Sequence, residues 1–355
     1  MTVQGSNSRE QRATAFRPEL RNRTDQLEPR SGAITMTTCL TIALCVDSGN
    51  LDQAAVTIAS VLARLSPGPP LTFHVFHGEP RSRRSRRLER LPLAPHRLFV
   101  HHVENRFRDI ALFDHVTSAA LLRLELGDRL PDLDRILYLD ADIVAVVDIR
   151  PLLATDLGGA AVAAVQDFGL HAALAEEAVT GRPDHVLHVR DALGWDPEDF
   201  IYVNSGVLLL DLAALRRERF GARAGQLVLD HPQRFRWRDQ DAINLLLRGR
   251  IKLLDPRWNA MVWYLEREPR RHYADAGHKA VAALQRRDPW LLHFSGACKP
   301  WGGLVDIPQY RLWWRVALRA SPVWALRWLD LRMARKRASL RRFILRRWPQ
   351  SSSPG

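Results

Sequence analysis

The 355-residue sequence predicts an α/β fold with a largely parallel sheet. Apolar segments of strand length alternate with segments of helical periodicity before the pair Asp140 and Asp142, which is the order that builds such sheets. The hydrophobic fraction of 46% and charged fraction of 26% are typical of a chain with a full core. Ligands of parallel sheets bind at the carboxyl ends of the strands. Polar residues that follow strands are therefore the first candidates for a site.

The elements can be predicted in chain order from periodicity and turn residues. Strands are predicted at residues 38–46, 71–76, 98–103, 135–139 and 200–210. Helices are predicted at residues 51–65, 82–90, 118–126, 212–219 and 237–247. A short strand at residue 291 runs into a loop rich in Gly and Pro.

Residues 1–35 and 169–199 lack a clear strand or helix pattern, and residues 309–355 differ from the rest in composition. Residues 1–35 have scattered charge and no periodicity, so we expect disorder there. Residues 169–199 are polar and irregular, and a loop of that length is typical of a lid or a disordered segment. The sequence thus predicts one catalytic domain over residues 36–308 and a basic helical tail over residues 309–355.

Asp140 and Asp142 form an Asp-x-Asp motif directly after an apolar strand. Side chains alternate along a strand, so the two carboxylates face the same side. Neighbouring carboxylates repel each other unless a cation lies between them, and oxygen ligands of this kind suit Mg²⁺ or Mn²⁺. The alternative is a solvated strand end, because a lone Asp-x-Asp is common by chance.

Glycine-rich phosphate-binding motifs are missing from the sequence. It has no G-x-G-x-x-G after the first strand and no G-x-x-x-x-G-K-[ST] at any position. An α/β protein with paired aspartates and no such loop would neutralise a pyrophosphate with a metal ion. The motif therefore indicates a substrate that carries a diphosphate.

The net charge of +13 is concentrated near the C-terminus. Residues 311–349 carry twelve arginines and lysines against the single acid Asp330, so +11 of the charge lies there. Aromatic and apolar residues interleave with these basic residues, namely Trp313, Trp314, Trp324, Trp328, Phe343, Leu345 and Trp348. The pattern is typical of amphipathic helices on an anionic membrane surface, and the alternative is packing on the body of the protein. A second basic run, residues 81–87, is interpreted as a solvated helix face.

Five motifs occur in a fixed order between residues 38 and 305. They are Asp47, Leu-Tyr-Leu-Asp-Ala-Asp at 137–142, Asn-Ser-Gly-Val at 204–207, Asp-Gln-Asp at 239–241 and His-Phe-Ser-Gly-x-x-Lys-Pro-Trp at 293–301. Together they resemble glycosyltransferase family 8, in particular its bacterial lipopolysaccharide α-galactosyl- and α-glucosyltransferases. The resemblance implies the GT-A fold and a retaining, metal-dependent transfer from a UDP-sugar.

The resemblance also implies roles for individual residues. Asp140, Asp142 and His293 would bind the metal, which we expect to be Mn²⁺ or Mg²⁺. Residues that would bind the donor and metal are Asp47, Arg123, Asp140, Ala141, Asp142, Asp167, Asn204, His293, Gly296 and Lys299. Asp239, Gln240 and Lys299 would be catalytic. Where the family often has an aromatic side chain that stacks on the uracil, this chain has Asn50.

Several of these residues also have a structural interpretation. His293 could be a hydrogen-bonded histidine at a strand end, and Arg123 an exposed charge on a helix. Asp47 could cap the following helix. Asp239 and Asp241 could be acidic residues favoured by the dipole in the first turn of a helix.

The mechanism of the family that this chain resembles is disputed, because Gln240, as an amide, is a poor nucleophile. We favour a front-face reaction, in which Gln240 positions the donor sugar. In a front-face reaction the departing phosphate takes the acceptor proton, and Lys299 and the metal site stabilise the leaving charge. Double displacement is the alternative.

We expect a cytoplasmic enzyme, peripherally associated with the inner face of the plasma membrane. It would transfer galactose or glucose from a UDP-hexose to a saccharide or glycolipid acceptor, with no nucleic-acid partner. Three cysteines without metal-site spacing favour a reducing compartment. One alternative is a phosphohydrolase of the haloacid dehalogenase type, although that class has Asp-x-Asp on its first core strand. Another is a non-catalytic basic adaptor that acts through residues 311–349.

Overall fold

The computed structural model describes residues 40–110, 117–181, 184–195, 201–267, 276–296, 299–303 and 307–347. The predicted disorder of residues 1–35 lies outside the described residues.

A seven-stranded sheet with the order β3-β2-β1-β4-β7-β6-β8 forms the centre of the fold. Its strands are β1 (Leu40–Val46), β2 (Leu71–His77), β3 (Arg97–His102), β4 (Arg135–Leu139), β6 (Val162–Gln166), β7 (Val203–Asp211) and β8 (Ile251–Leu253). Paired strands are parallel, except that β7 runs antiparallel to both β4 and β6. The predicted α/β fold with a largely parallel sheet is therefore confirmed.

The helices cover both faces of this sheet. They are α1 (Leu51–Leu62), α2 (Arg83–Glu89), α3 (Leu126–Arg129), α4 (Arg150–Leu153), α5 (Phe168–Thr180), α6 (Asp184–Leu187), α7 (Leu212–Arg217), α8 (Phe220–Asp230), α9 (Asp239–Leu246), α10 (Val262–Arg267), α11 (Ala276–Arg287), α12 (Pro308–Ala320) and α13 (Pro322–Arg347). Ile136 and Tyr138 of β4 pack in one core cluster with α8, whereas Leu137 and Leu139 pack in another with α1. Burial on both faces explains why β4 is continuously apolar from Ile136 to Leu139.

Short 3-10 helices span Ser118–Glu125, Pro256–Asn259 and Pro300–Gly302. The predicted helix at 118–126 is therefore a 3-10 helix that continues into α3. The expectation that residues 169–199 are irregular is wrong for most of the segment, which forms α5, α6 and a π-helical turn at His188–Ala192. The Asp167 carboxylate accepts the Leu170 N–H at 3.0 Å, and Gly181 ends α5 with a φ of 67°. Asp167 and Gly181 are therefore residues from which the start and the end of α5 could have been predicted.

A second, smaller sheet contains β5 (Ile143–Ala145), β10 (Leu291–His293) and β9 (Ala260–Met261) in the order β5-β10-β9. The antiparallel register pairs His293 with Ile143, and the parallel register pairs it with Met261. The Phe294 N–H also donates to the Asp142 carbonyl oxygen at 3.0 Å. This sheet therefore holds the end of β10 beside the turn that contains Asp142.

The first part of the basic tail packs on the body of the protein. Trp313 is fully buried, and Trp314 and Trp324 are 6% and 5% exposed, in a core cluster with β9 and β10. The prediction that these three tryptophans lie at a membrane surface is wrong, because they complete the apolar core. Trp348 lies outside the described residues. Within the described ranges, no helix is long and apolar enough to span a membrane.

Replacing Trp313 with Ala should therefore lower the free energy of unfolding by about 3–5 kcal/mol, since it empties a buried aromatic site. Urea denaturation of the full chain measures this change. Leu326→Ala is the matched control, because this side chain is 69% exposed and should change stability by less than about 0.5 kcal/mol. Equal midpoints for the two variants would contradict the packed position of α12.

Candidate active site

A cavity of about 490 Å³ opens at the carboxyl edge of the large sheet. Eleven of the twelve predicted site residues line it, namely Arg123, Asp140, Ala141, Asp142, Asp167, Asn204, Asp239, Gln240, His293, Gly296 and Lys299. Asp47 is not among the residues that line it, whereas Asn50 is. The side chains that the motifs singled out thus converge on one cavity.

Strand direction explains much of this convergence. Asp140 follows β4 and Asp167 follows β6, so both lie at the carboxyl edge of the sheet. Because β7 is antiparallel to both neighbours, its first residues, Asn204 and Ser205, lie at the same edge. The Asp140 N–H donates to the Gly206 carbonyl oxygen at 2.9 Å, which ties the two strands together there.

Asp140, Asp142 and His293 form the candidate metal site. Their ligand atoms lie within 4.8 Å of one another. His293 Nε2 is 3.3 Å from Asp142 Oδ1 and 3.7 Å from Asp140 Oδ2. The two aspartates lie in the turn between β4 and β5 rather than on a strand, yet both face the imidazole as the period-two argument predicts.

A chain of hydrogen bonds determines which nitrogen of His293 faces the carboxylates. The Gly206 N–H donates to Asn204 Oδ1 at 3.0 Å, so this atom is the amide oxygen. Asn204 Oδ1 also accepts from Asn259 Nδ2 at 2.8 Å, which leaves Asn259 Oδ1 facing His293 Nδ1 at 2.8 Å. In the neutral imidazole Nδ1 therefore carries the proton, and Nε2 directs its lone pair towards Asp140 and Asp142.

These atoms fit a divalent cation. In this neutral tautomer, the lone pair of Nε2 and the oxygens of the two carboxylates point at one another. Asp142 Oδ1 is buried, and no hydrogen-bond donor among the described residues reaches it. A buried acceptor of this kind costs free energy unless a cation or donor satisfies it. Imidazole beside two carboxylates is a ligand set that suits Mn²⁺.

Arg123 is buried beneath the candidate metal site and is only 6% exposed, which excludes the alternative of an exposed helix charge. Its guanidinium donates to Asp140 Oδ1 at 2.8 Å and lies 3.2 Å from Asp239 Oδ2. Burial disfavours its charge, but Asp140 and Asp239 outweigh that effect and raise the pKa of Arg123 above its ordinary value. Arg123 therefore holds one oxygen of Asp140 as a permanent cation, while the other oxygen faces His293.

Tyr138 and Asp239 complete the surroundings of this ion pair. Burial raises the pKa of Tyr138 well above its ordinary value, so its hydroxyl stays protonated and donates to Asp140 Oδ1 at 2.6 Å. Burial also raises the pKa of Asp239, although Arg123 opposes the shift. Asp239 lies in the first turn of α9 as the structural alternative proposed, but it is 4% exposed and faces the cavity.

Gln240 has both ends of its amide engaged. Its oxygen accepts from Asn204 Nδ2 and from the Ser205 N–H, both at 3.0 Å. Its nitrogen donates to Asp167 Oδ2 at 3.1 Å. Because a backbone N–H identifies the oxygen, the orientation of the amide is defined. The geometry favours a positioning role over nucleophilic attack.

Lys299 lies on the other side of Asp142. Its ammonium donates to Asp142 Oδ2 at 2.5 Å and to the Phe294 carbonyl oxygen at 2.8 Å. Burial works to raise the pKa of Asp142, but the Lys299 ammonium outweighs it and holds that pKa well below its usual range. Gly296 has a φ of 81°, a left-handed conformation that suits glycine. The Asp142 carboxylate is thus ionised at neutral pH.

Asp47 lies at the edge of the site, outside the cavity wall. Its Oδ1 accepts the Asn50 N–H at 2.9 Å and the Asn50 side-chain amide at 3.1 Å. The N-cap residue of α1 is Asn50 and not Asp47, so the capping alternative is wrong. The turn leads into α1. It also presents Asn50 to the cavity, at the position where the family often has an aromatic residue.

Some residues of the site were missed in the sequence. Asn259 is fully buried and contacts His293, although it belongs to none of the motifs. A lone amide within the apolar run from Trp258 to Tyr264 is the signal that could have found it. Trp237, Arg238 and Trp263 also line the cavity, and Arg238 has an unusual φ of 45° at the start of α9.

Comparison with known proteins gives a consistent result. The model of Glycosyl transferase family 8 matches residues 41–304. General stress protein A of Bacillus subtilis is 27% identical over 274 residues, which cover 75% of this chain and 89% of that protein. Lipopolysaccharide 1,2-glucosyltransferase of Escherichia coli is 32% identical over 190 residues, or 54% of this chain and 50% of that protein. Lipopolysaccharide 1,3-galactosyltransferase of Salmonella typhimurium is 26% identical and covers 76% of each chain.

Among solved structures, the galactosyltransferase LgtC in complex with donor and acceptor sugar analogs superposes with a TM-score of 0.65. It is 23% identical and covers 78% of this chain and 95% of that chain. The likeness shows that the two share a fold, which confirms the predicted GT-A architecture.

The family model spans most of the chain, so this protein belongs to glycosyltransferase family 8 and is a glycosyltransferase. The phosphohydrolase and adaptor alternatives are therefore wrong. In this chain Asp-x-Asp follows β4, which pairs with β1 inside the sheet. In phosphohydrolases of the haloacid dehalogenase type, the motif is on the first core strand instead.

Replacing Asn259 with Ala should weaken Mn²⁺ binding by about 10–100-fold, because His293 loses the partner that orients it. Titration of Mn²⁺ followed by electron paramagnetic resonance measures this affinity without turnover. Asn105→Ala is the control, since Asn105 is a buried amide that bonds Phe107 and Ser118 outside the site. Equal Mn²⁺ affinity in both variants would show that Asn259 does not orient the ligand.

Replacing Gly206 with Ala should also weaken Mn²⁺ binding, by at least about tenfold. An added Cβ would lie 2.3 Å from His293 Cε1 and 2.9 Å from Asp140 Oδ2, so these side chains would have to move. Gly303→Ala is the control, because an added Cβ there meets no atom within 4 Å. Unchanged affinity for Gly206→Ala in the same titration would contradict the close approach of β7 to the metal site.

Proposed function

We propose that this protein is a retaining, metal-dependent hexosyltransferase that transfers galactose or glucose from a UDP-sugar to a saccharide or glycolipid acceptor. The observation that supports this most directly is the cluster of Asp140, Asp142 and His293 beside Lys299. It combines ligands for a divalent cation with an ammonium group at the wall of one cavity. A nucleoside diphosphate is the kind of leaving group that such a set would bind.

The metal, which we propose is Mn²⁺ or Mg²⁺, would be held by Asp140, Asp142 and His293. When bound, it supplies a positive charge that stabilises the diphosphate leaving group. Lys299 is in a position to contact a phosphate oxygen, since its ammonium lies beside Asp142 on the cavity wall. Gly296, which has a positive φ, also lines this cavity.

The opposite wall would hold the donor sugar. Asp167, Asn204 and Gln240 form a closed set of hydrogen bonds there, and Asp239 lies next to them. Polar groups with fixed orientations are suited to hydroxyl recognition, because an unmatched hydroxyl would leave a buried group unpaired. Ala141 and Arg123 also line the cavity.

We favour a front-face reaction, in which the departing phosphate accepts the proton of the acceptor hydroxyl as the new glycosidic bond forms. The amide of Gln240 supports this choice, since it is a poor nucleophile and three partners already orient it. Its role would be to position the sugar. Asp47 and Asn50 would lie near the base of the nucleotide, at the outer end of the cavity.

The acceptor is proposed by analogy with relatives whose names specify lipopolysaccharide as their substrate class, at 32% and 26% identity. A glycolipid acceptor requires access to a membrane surface. We propose that the tail supplies a peripheral contact with an anionic membrane, because exposed residues of α13 combine arginines with Leu326, Leu329 and Met333.

Release of UDP from a panel of nucleotide sugars tests this function without knowledge of the acceptor. With Mn²⁺ present, we expect slow hydrolysis of one UDP-hexose, and EDTA should abolish it. Asp142→Ala should reduce the rate by at least about hundredfold, because it removes a ligand and leaves Lys299 unpaired. Asp132→Ala, an exposed carboxylate before β4, should retain the wild-type rate.

The same panel identifies the donor. If wild type releases no UDP from any sugar, titration of UDP in the presence of Mn²⁺ is the decisive measurement. Absence of both UDP release and Mn²⁺-dependent UDP binding would contradict the proposal.

A further inference from the structure

A second cavity, of about 650 Å³, lies between the start of α1, helix α2 and the corner that joins α12 to α13. Five arginines of α2 and its C-cap line it, namely Arg83, Arg84, Arg86, Arg87 and Arg90. Ala320, Ser321 and Pro322 form the opposite side, and Asp52 is the acidic residue in the wall. We refer to this site as the arginine cavity.

Most of the charge in the arginine cavity is not neutralised by the protein. Arg87 lies 3.7 Å from Asp52, and Arg84 donates to the Ser48 carbonyl oxygen at 3.2 Å. Within the described ranges, no carboxylate lies within ion-pair distance of Arg83, Arg86 or Arg90. A cavity with several unpaired guanidinium groups has a positive potential and favours an anion, and phosphate matches the guanidinium fork.

An exposed apolar stripe on α13 begins at this cavity. Leu326, Leu329 and Met333 are 69%, 50% and 43% exposed. They follow Pro322 at i+4, i+7 and i+11, which places all four residues on one face of the helix. We call this face the outer stripe.

The opposite face of α13 packs against the core of the protein. Trp324 is buried, and Trp328 and Leu331 pack against the cluster that contains Trp313. The outer stripe therefore has no contact that explains its apolar character within the described residues. Because it starts at Pro322, it is continuous with the arginine cavity.

We propose that the arginine cavity and the outer stripe together bind an anionic phospholipid bilayer. A headgroup phosphate would bind the arginines of α2, and the outer stripe would enter the interfacial region. A bilayer offers an anionic layer directly beside an apolar one, which matches the adjacency of the two surfaces. A small soluble anion would contact the arginines but would leave the outer stripe exposed.

This inference deepens the proposed function, on which its biological role rests, by locating the membrane contact at α2. Residues 81–87, interpreted from sequence as a solvated face, would then be the electrostatic part of the contact. The arginine cavity includes Leu51 and Asp52, which directly follow Asn50 of the catalytic cavity wall. Docking at the start of α1 would therefore bring the catalytic cavity close to a glycolipid acceptor.

Sedimentation of the full chain with vesicles tests the electrostatic part. Wild type should bind vesicles of phosphatidylcholine mixed with phosphatidylglycerol, and bind poorly to phosphatidylcholine alone. Arg83→Glu/Arg86→Glu should weaken binding by at least about tenfold, since each basic residue near an anionic surface contributes roughly fivefold. Arg217→Glu/Arg223→Glu is the control, because it changes charge equally at exposed sites on α7 and α8, which pack on the other face of the sheet.

The outer stripe is tested separately in the same experiment. Leu326→Ser/Leu329→Ser should also weaken vesicle binding, whereas Leu253→Ser, a 44% exposed residue on β8, should not. Full-chain variants are required because truncation before α12 would remove Trp313 and Trp314 from the core. Retained UDP binding with Mn²⁺ serves as the check that each variant is folded.

Three results would overturn the inference. Wild type could fail to bind anionic vesicles, or the arginine variant could bind as tightly as its control. Alternatively, inorganic phosphate at constant ionic strength could displace wild type while the serine variant binds normally, which would indicate a small-anion site. These outcomes are independent of UDP release, so loss of vesicle binding with intact donor hydrolysis would leave the proposed function standing.

Discussion

The backbone pairing of β10 with β5 is the constraint on which the active site depends. Its register places His293 opposite Ile143, immediately after the turn that carries Asp140 and Asp142. Parallel pairing of β9 with the same strand brings Asn259 to the other side of the imidazole. A shift of one residue would turn His293 to the opposite face of the small sheet, because side chains alternate along a strand. The candidate metal ligands therefore meet through strand register.

From this point a buried polar network extends across the cavity. His293 bonds Asn259, which bonds Asn204, which bonds both Gln240 and Asp167. A hydrogen bond to its neighbour orients each side-chain amide of this network, so hydrogen bonds connect the proposed metal position to the proposed sugar position. Such networks rigidify a site when all members are satisfied and are costly when one is removed. Loss of a single amide should therefore affect both ends of the cavity.

Two buried or partly buried cations, Arg123 and Lys299, contact the two carboxylates of the Asp-x-Asp motif. Arg123 and Lys299 hold opposite sides of the Asp-x-Asp pair, and each leaves one carboxylate oxygen directed at His293. The antiparallel direction of β7 is what allows Arg123 to reach the Ser205 carbonyl oxygen at 2.7 Å from beneath. The ion pairs of Arg123 with Asp140 and of Lys299 with Asp142 thus use the same carboxylates as the candidate metal site.

The sequence by itself determined the α/β class, the strand that precedes Asp140 and the residue types of the cavity, because periodicity and motif spacing are local properties. Only the tertiary structure decided the antiparallel direction of β7 and the role of Asn259, since both depend on contacts between distant segments. It also decided that Trp313 lies in the core. Amphipathic periodicity shows that a helix has an apolar face, but the surface that covers this face is chosen by long-range packing.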